Sequence, residues 1–360
     1  MTQTILIMAG GTGGHVFPGL AVADYLKSAG WRVVWLGTKT GMENRWVVQH
    51  DCEIETINFS GLRGKNVTTW MTLPIRLLRA LMQSLKILRK VQPDVVLGMG
   101  GYPAFPGGLM ASLLNKPLVI HEQNSVPGLT NKVLAKLADK VLLGFPEAIK
   151  TEQAKVIVVG NPVRAEIARL ESPEKRFAGR SGVLRLLVVG GSRGAQALNT
   201  IVPQALKLIP ENQRPMVVHQ AGENNLGALQ NNYTNLGVAA QLTEFIDDMA
   251  AHYADCDLVL CRAGALTVAE LAAAGVASIL VPYPYAVDDH QTGNARFLSE
   301  HQAAVLLPQT DLSPDNLMKI LCDLTREKLL AMAVAARKQA MPDAARQVAQ
   351  LCIQAGGVSS

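Results

Sequence analysis

The chain has 360 residues, 49% of them hydrophobic and 18% charged, which is enough for about two domains with sizeable cores. Its formal net charge of +5 is small for a nucleic-acid-binding protein, so we expect no nucleic-acid partner. The five cysteines form no CxxC pair, which favours a reduced, cytoplasmic protein without a zinc site. No apolar run reaches the roughly 18 residues of a membrane-spanning helix, and we expect any membrane contact to be peripheral.

Short apolar runs that precede helical patterns predict parallel β-strands along the first half of the chain. A polar break follows them, and a second series of the same kind starts at Leu184. We therefore predict an α/β fold with a domain boundary near Asn161. The predicted strands of the first half are Ile5–Ala9, Val33–Gly37, Val95–Gly98, Leu118–His121, Lys140–Gly144 and Val156–Gly160.

The second half of the chain repeats features of the first. Asp94–Gly101, "DVVLGMGG", resembles Asp257–Gly264, "DLVLCRAG". Two related Rossmann-like halves explain such a repeat, and we expect the ligand cleft between them, near the carboxyl ends of the strands. At an offset of 180 residues, the turn residues Gly10, Gly11, Thr12 and Gly14 match Gly190, Gly191, Ser192 and Gly194.

The stretch "GGTGGHVFPGLA", which starts at Gly10, joins the first strand to a helical pattern. Glycine allows positive φ and close approach of the backbone to a ligand, so this turn can offer bare N–H groups to an anion. Val16 occupies the third glycine position of GxGxxG, and the second strand ends without an acid, which disfavours NAD. A GxxxxGK[ST] motif is absent from the sequence, which also disfavours a P-loop hydrolase.

The stretch "CRAGALTVAE" predicts the second phosphate site. A strand ends at Cys261, and a helix begins near Ala265, where free N–H groups can hold a diphosphate. Glu270, one to two turns along this helix, can accept hydrogen bonds from ribose hydroxyls. Arg164 and Arg262 would add positive charge if they point towards the ligand.

Two acidic pairs resemble metal-binding DxD strings. Asp255 and Asp257 precede a strand and therefore lie at its amino end, and Asp288 and Asp289 are adjacent in sequence. We expect no metal ion at either pair and no essential cofactor. Helix dipoles and arginines can instead balance the charge of a leaving phosphate.

The segment from Thr56 to Pro93 carries seven basic residues and no acid. One predicted helical stripe, Leu78, Leu81, Leu85 and Leu88, is expected to face the core. A mixed apolar and basic stripe is suited to an anionic membrane surface, although a solvated helix face is the alternative. That second stripe consists of Ile75, Arg79, Met82 and Lys86, and the seven basic residues are Arg63, Lys65, Arg76, Arg79, Lys86, Arg89 and Lys90.

The motifs taken together resemble those of the bacterial transferases that move N-acetylglucosamine from UDP-N-acetylglucosamine to lipid I in peptidoglycan synthesis. They are "GGTGGHVFPGLA", "GMGGY", "HEQN", "NPVR", "GGSRGA", "TEFIDDM", "CRAGALTVAE" and "DDHQTGNA", in order from residue 10 to residue 295. The resemblance implies a GT-B fold of two Rossmann-like domains that face a central cleft. It implies an acceptor and membrane domain over 1–161, a UDP-sugar domain over 162–340, and a last helix over 341–360 that returns to the first domain.

The resemblance also implies a peripheral location on the cytoplasmic face of the inner membrane, with other cell-wall and division proteins as partners. For the lipid I acceptor it implies contacts at Gly10, Gly11, Gly100, Gly101 and Tyr102. Arg193 stands where relatives carry a neutral residue such as glutamine. The implied donor contacts are Thr12, Gly13, Gly14, Asn124, Arg164, Ser192, Ile246, Ala265, Leu266, Thr267, Val268, Ala269, Glu270 and Gln291.

Two questions stay open from the sequence. Inversion by direct displacement needs a base for the acceptor hydroxyl, and His15, at the head of the helix after the glycine turn, is one candidate. Glu122 of "HEQN" is the other candidate, in which case His15 only positions the donor or the turn. A nucleotide-sugar epimerase on the same fold and an NADP-binding or non-catalytic Rossmann protein are the alternative functions.

Overall fold

The computed structural model describes residues 2–41, 43–61, 71–146, 148–149 and 155–357. It divides into two compact units, Met1–Val163 together with Pro342–Ser360, and Arg164–Met341. Each unit contains one parallel sheet with helices between its strands, which confirms the predicted α/β class with two Rossmann-like domains.

The first unit contains a seven-stranded sheet in the order β3-β2-β1-β4-β5-β6-β7. Its strands are β1 (Thr4–Ala9), β2 (Arg32–Thr38), β3 (Glu53–Ile57), β4 (Val95–Gly100), β5 (Leu118–Glu122), β6 (Lys140–Leu143) and β7 (Val156–Val158). Its helices are α1 (Gly13–Ser28), α2 (Glu43–Gln49), α3 (Leu73–Val91), α4 (Ala104–Leu113), α5 (Leu129–Leu134) and α15 (Ala344–Ala355).

The second unit contains a six-stranded sheet in the order β10-β9-β8-β11-β12-β13. Its strands are β8 (Arg185–Val189), β9 (Met216–Gln220), β10 (Gln241–Thr243), β11 (Leu258–Cys261), β12 (Ser278–Leu280) and β13 (Ala304–Leu306). Its helices are α6 (Ala165–Ala168), α7 (Pro173–Phe177), α8 (Gln196–Leu208), α9 (Leu226–Leu236), α10 (Met249–Asp255), α11 (Ala265–Ala274), α12 (His290–Ser299), α13 (Pro314–Asp323) and α14 (Arg326–Lys338).

The six strands predicted in the first half are all present, and their ends shift by one or two residues. Every residue of β1 and β4 is buried, as expected for parallel strands that are covered on both faces. Strand β3 was not predicted, because its sequence "EIETI" at the sheet edge mixes acids with isoleucines and lacks a continuous apolar run.

The sequence repeat has a structural counterpart at the amino ends of the strands. In the first unit, Asp94 Oδ2 accepts a hydrogen bond of 2.7 Å from the N–H of Thr4. In the second unit, Asp257 Oδ2 accepts one of 2.9 Å from the N–H of Arg185. The main-chain N–H of each aspartate returns a bond to the carbonyl of the same partner. Both aspartates therefore tie the first strand of their unit to its neighbour and fix the register.

The glycine turns are equivalent only in part. Gly11 and Gly191 both have positive φ, 87° and 85°, which an L side chain rarely adopts. Gly194 also has positive φ, whereas Gly14 already lies inside α1. The turn before α8 is therefore longer, and the predicted match between Gly14 and Gly194 is one of sequence and not of conformation.

Helix α15 packs against α1 in the first unit. Its residues Val348, Ala349 and Cys352 are fully buried in the same hydrophobic cluster as Leu20 and Trp31. The last helix thus completes the core on that face of the first sheet.

Helix α3 differs from its predicted orientation. Leu78 is 60% exposed, so the predicted core stripe is wrong at this position. The buried positions are Ala80, Ser84, Ile87, Leu88 and Val91, because the helix is rotated relative to the all-leucine stripe. The mixed stripe of Ile75, Arg79, Met82 and Lys86 is exposed throughout. Arg63 and Lys65 lie outside the described residues.

Candidate functional site

The glycine turn of the first unit lies at the carboxyl end of β1, which pairs with β2 and with β4, the middle strand of the sheet. Thr12 precedes α1 in an extended conformation, and the N–H groups of Gly13 and Gly14 belong to the first helical turn, where no intrahelical acceptor exists. This first turn contains no acid. The turn therefore presents main-chain donors and the positive end of a helix dipole, the combination that binds phosphates.

A second glycine turn, at the carboxyl end of β4, packs directly on the first. A Cβ atom at Gly101 would lie 2.1 Å from the carbonyl oxygen of Gly10, so only glycine fits there. The ring of Tyr102 covers Gly11, where a Cβ atom would lie 2.9 Å from Tyr102 Cε1. The two turns thus form one continuous surface of main-chain atoms with an aromatic ring beside it.

His15 lies at the third position of α1, beside both turns. Its Nδ1 atom is 2.8 Å from Gln123 Oε1, and its ring edge lies against Gly100, where a Cβ atom would come within 3.0 Å. The side chain is half-buried. His15 is therefore fixed at the head of the helix whose amino end forms the proposed anion site.

Gln123 connects His15 to a second, fully buried histidine. Its Nε2 atom lies 3.0 Å from His121 Nδ1, and His121 Nε2 lies 2.9 Å from the carbonyl oxygen of Gly160. Burial lowers the pKa of His121 to about 4, so this imidazole is neutral at neutral pH. Three side chains thus form a hydrogen-bonded chain that ends on a main-chain carbonyl.

Glu122, the alternative base, is held in a different way. Its side chain is 1% exposed, and both carboxylate oxygens accept hydrogen bonds. Oε1 accepts from the N–H and the side-chain amide of Asn124, and Oε2 accepts from the N–H of Gly128 and from Asn131 Nδ2. The carboxylate therefore fixes the loop between β5 and α5 by four hydrogen bonds.

In the second unit, Arg164 and Glu270 form an ion pair. Arg164 Nε and Nη2 both lie 3.1 Å from Glu270 Oε1, and the buried Tyr253 lies beside Glu270. Glu270 is 6% exposed, and burial raises its pKa above the ordinary value while Arg164 opposes that rise. The two residues implied as donor contacts are thus brought together.

Helix α11 begins at Ala265, directly after the turn at Gly264. The fully buried Asn294 of α12 holds this turn by donating to the carbonyl oxygen of Ala263 at 3.1 Å. At the other end of α11, the guanidinium of Arg176 donates to the carbonyl oxygen of Ala274 at 2.7 Å, and Arg337 donates to that of Ala273. Cationic side chains thus occupy the negative end of the helix and leave its positive end open.

The other donor residues predicted in the second unit lie around the carboxyl ends of its strands. Ser192 is exposed in the turn after β8, and its carbonyl oxygen accepts from the N–H of Glu223 at 2.8 Å. Ile246 follows β10 and is buried, while Gln291 Oε1 accepts from the N–H of Tyr283 at 2.9 Å. Arg193 is exposed beside Ser192.

Several charged residues have structural partners instead. Arg262, expected to add charge at the ligand, donates to the carbonyl oxygens of Val281 and Pro282 and to Gln309 Oε1. Asp255 pairs with Arg185, and Asp257 pairs with Arg180 and Arg326. Within the ranges that the structure describes, no group of three His, Cys, Asp or Glu side chains is placed to hold a metal ion.

Sequence reasoning assigned no role to Gln123, Tyr253 or Asn294. Gln123 lies inside the "HEQN" motif, and that motif is the sequence feature that could have identified it. Tyr253 belongs to a short helix without a motif, and only the fold brings it to Glu270. Asn294 lies within "DDHQTGNA", but its contact with the turn before α11 depends on the packing of α12.

Comparisons with known proteins agree with this arrangement. The profile of the glycosyltransferase family 28 N-terminal domain matches residues 5–143, and that of the family 28 C-terminal domain matches residues 185–348. A curated protein of Nitrosospira multiformis is 66% identical over 98% of this chain and 99% of its own length. It is named UDP-N-acetylglucosamine-N-acetylmuramyl-(pentapeptide) pyrophosphoryl-undecaprenol N-acetylglucosamine transferase, and the relative of that name from Nitrosomonas europaea is 63% identical over the same shares.

Solved structures show the same similarity. The crystal structure of Acinetobacter baumannii MurG superimposes with a TM-score of 0.85 at 40% identity, over 98% of this chain and 99% of that one. A UDP-GlcNAc 2-epimerase from Neisseria meningitidis has a TM-score of 0.68 at 12% identity over 98% of this chain and 100% of its own, and shares the fold alone. Two family-specific domain profiles and full-length identity therefore confirm the resemblance seen in the motifs: the chain, with its GT-B fold of two parallel α/β domains, belongs to glycosyltransferase family 28.

Proposed function

We propose that the protein transfers N-acetylglucosamine from UDP-N-acetylglucosamine to the C4 hydroxyl of the N-acetylmuramoyl residue of lipid I. The products are lipid II and UDP, and the reaction inverts the anomeric carbon. The observation that carries the proposal is the 66% identity, over nearly the whole chain, to a transferase named for this reaction. Phosphate-binding geometry in both units supports it, because donor and acceptor each carry a diphosphate.

The second unit is proposed to hold the donor. The N–H groups at the start of α11 bind the diphosphate, and Glu270 accepts hydrogen bonds from the ribose hydroxyls. The charge of the leaving UDP is balanced by this helix end and by Arg164, so the proposal assigns that task to the chain and not to a metal ion. The donor contacts proposed in this unit are Ser192, Ile246, Gln291 and the stretch Ala265 to Glu270.

The first unit is proposed to hold the acceptor. The turns at Gly10–Gly11 and Gly100–Tyr102 bind its diphosphate through main-chain N–H groups. Donor contacts are also proposed in this unit, at Thr12, Gly13, Gly14 and Asn124.

His15 is proposed as the base, since the four hydrogen bonds of Glu122 occupy that carboxylate in holding its own loop. In the reaction, the hydroxyl oxygen forms its bond to the anomeric carbon and its proton passes to His15 Nε2. The bond from that carbon to the phosphate breaks, and the electron pair leaves with UDP.

The lipid acceptor requires contact with a membrane, and we propose that α3 provides it at the cytoplasmic face of the inner membrane. No described helix has the length and apolarity needed to cross a bilayer. Ile75 and Met82 are 73% and 54% exposed, with Arg79 and Lys86 on the same stripe. Helices α3, α4 and α5 cover one face of the first sheet. Together with that stripe and Leu78, the exposed apolar residues Leu113, Leu129, Val133 and Leu137 form the proposed docking face.

An epimerase on the same fold is the alternative, because it would act on the donor alone. Incubation of the protein with radiolabelled UDP-N-acetylglucosamine, with and without a lipid I analogue, separates the two functions. We expect label in the lipid and release of UDP only when the analogue is present. Conversion of the donor to its 2-epimer without acceptor would overturn the proposal.

Changes at the ion pair test the donor site. We expect Glu270→Gln to weaken UDP binding about tenfold, since a hydrogen bond to a charged group contributes about 1.5 kcal/mol or more. We expect Arg164→Gln to lower kcat about 10²-fold, because charge on the leaving diphosphate loses its partner. Calorimetric titration with UDP and initial rates measure the two effects, with exposed Glu327→Gln as the matched control. Wild-type affinity and rate in both variants would contradict the assignment.

Replacement of the proposed base tests the mechanism. His15→Ala should lower kcat by about 10² to 10⁴-fold with a small change in UDP affinity, the range expected for loss of a general base. His50→Ala is the control and should keep the wild-type rate, because His50 is a half-buried histidine of the same unit whose Nδ1 pairs with Asp24. A loss below tenfold in His15→Ala would move the base role to Glu122.

Charge reversal on α3 tests membrane docking. Arg79→Glu with Lys86→Glu should lower binding to vesicles rich in anionic lipid at least about tenfold, because each basic residue near such a surface contributes about 1 kcal/mol. Arg76 is left unchanged, since its Nη2 donates to Ser60 Oγ. The charge-matched control reverses Lys207 and Lys319, both exposed in the second unit. Co-sedimentation that is insensitive to salt and equal in both double variants would exclude this surface.

A further inference from the structure

We propose that Gln123 is a positioning residue that sets the tautomer of His15, with the proton on Nδ1 and the lone pair on Nε2. The inference rests on the proposed function, because it explains how His15 is prepared to accept a proton. It follows from the direction of each hydrogen bond in the chain from Gly160 to His15.

The direction is fixed first at the buried end of the chain. The carbonyl oxygen of Gly160 can only accept, so His121 Nε2, at 2.9 Å, must carry the proton. His121 is fully buried and stays neutral, so it holds a single ring proton and its Nδ1 atom is an acceptor. The neighbouring group on Nδ1 must therefore donate.

That donor is the side-chain amide of Gln123. Its Nε2 atom lies 3.0 Å from His121 Nδ1 and 3.1 Å from the carbonyl oxygen of His121, so both N–H groups meet acceptors. A flipped amide would place Oε1 against the same two acceptors and lose both bonds. Asn161 fixes the backbone as well, because its Nδ2 donates to the carbonyl oxygen of Gln123 at 2.9 Å. The amide oxygen therefore faces His15.

The last bond decides the state of His15. Gln123 Oε1 can only accept, so His15 Nδ1, at 2.8 Å, must donate to it. A neutral imidazole has one ring proton, which leaves the lone pair on Nε2. Among the described residues, no hydrogen-bond partner of His15 Nε2 is found. The ring is also held in place by its contact with Gly100.

A neutral amide can fix the tautomer of the ring as a carboxylate does, but it stabilises the imidazolium less. A carboxylate on Nδ1–H would stabilise the imidazolium, which already carries a proton on Nε2 and cannot accept another. The amide oxygen orients the ring without adding charge. When Nε2 takes the proton of the acceptor hydroxyl, the imidazolium keeps its Nδ1–H bond to Gln123 and afterwards returns the Nε2 proton to water.

The tautomer can be read directly in the resting enzyme. In protein labelled with ¹⁵N in its histidines, long-range ¹H–¹⁵N spectra at a pH where His15 is neutral distinguish a protonated from a bare ring nitrogen. His15→Ala identifies the His15 signals by their loss. We expect a protonated Nδ1 and a bare Nε2, and a protonated Nε2 in the wild-type protein would overturn the inference.

Gln123→Met keeps the length of the side chain and removes its donors and acceptor. We expect the His15 signals to shift towards the Nε2-protonated form, and kcat to fall about tenfold to 100-fold with UDP affinity unchanged. Gln83→Met is the matched control, since Gln83 Oε1 likewise accepts a bond in the same unit, from the N–H of Asn58 at 2.8 Å. Unchanged His15 signals in Gln123→Met would contradict the inference.

The two proposals fail in different measurements. If His15 is not the base, His15→Ala keeps its turnover, whatever tautomer the spectra show. If Gln123 does not set the tautomer, either the wild-type protein shows a protonated Nε2 or the His15 signals stay unchanged in Gln123→Met. In both cases His15→Ala still loses turnover.

Discussion

The parallel direction of the strands is the constraint on which the rest of the structure depends. Because every strand pair in the described part of the chain is parallel, the carboxyl ends of the strands and the amino ends of the following helices gather on one side of each sheet. That side carries the glycine turns, His15 and the "HEQN" residues in the first unit, and Ser192 and the start of α11 in the second. The opposite side carries Asp94 and Asp257, which fix the strands to one another. The candidate site residues thus lie at the carboxyl ends of the strands, and the residues that fix the strand register lie at the amino ends.

Main-chain atoms, more than charged side chains, shape the proposed phosphate sites. Gly10 and Gly101 approach so closely that any Cβ atom at Gly101 would collide with a carbonyl oxygen, and this contact aligns two turns into one surface. In the second unit, Arg176 and Arg337 donate to carbonyl oxygens at the carboxyl end of α11. The negative end of the helix dipole is therefore balanced by cations, and the positive amino end is available for an anion. Such fixed dipoles need no reorganisation when the charge on the leaving diphosphate develops.

Much of this architecture could be predicted from the sequence, since it depends on local patterns. Apolar runs before helical segments located the strands, and the repeated aspartate and glycine spacing revealed two related halves. The orientation of α3 could not be predicted, because four leucines at helical spacing resemble a core stripe and only packing places Leu78 in solvent. The roles of Gln123 and Tyr253 depend on side-chain geometry between elements distant in sequence. Glu122 illustrates the same limit, because a motif names a carboxylate but does not show that four hydrogen bonds hold it.

The fold alone does not decide the reaction, as the similar structure of a 2-epimerase at 12% identity demonstrates. The proposed reaction is a direct displacement at the anomeric carbon, with His15 as base and a helix end that stabilises the departing UDP. The anomeric configuration of the transferred sugar tests it most directly, measured by the ¹H coupling constant in the product formed from α-linked UDP-N-acetylglucosamine and a lipid I analogue. The account predicts a β-linked N-acetylglucosamine, and an α-linked product would contradict it.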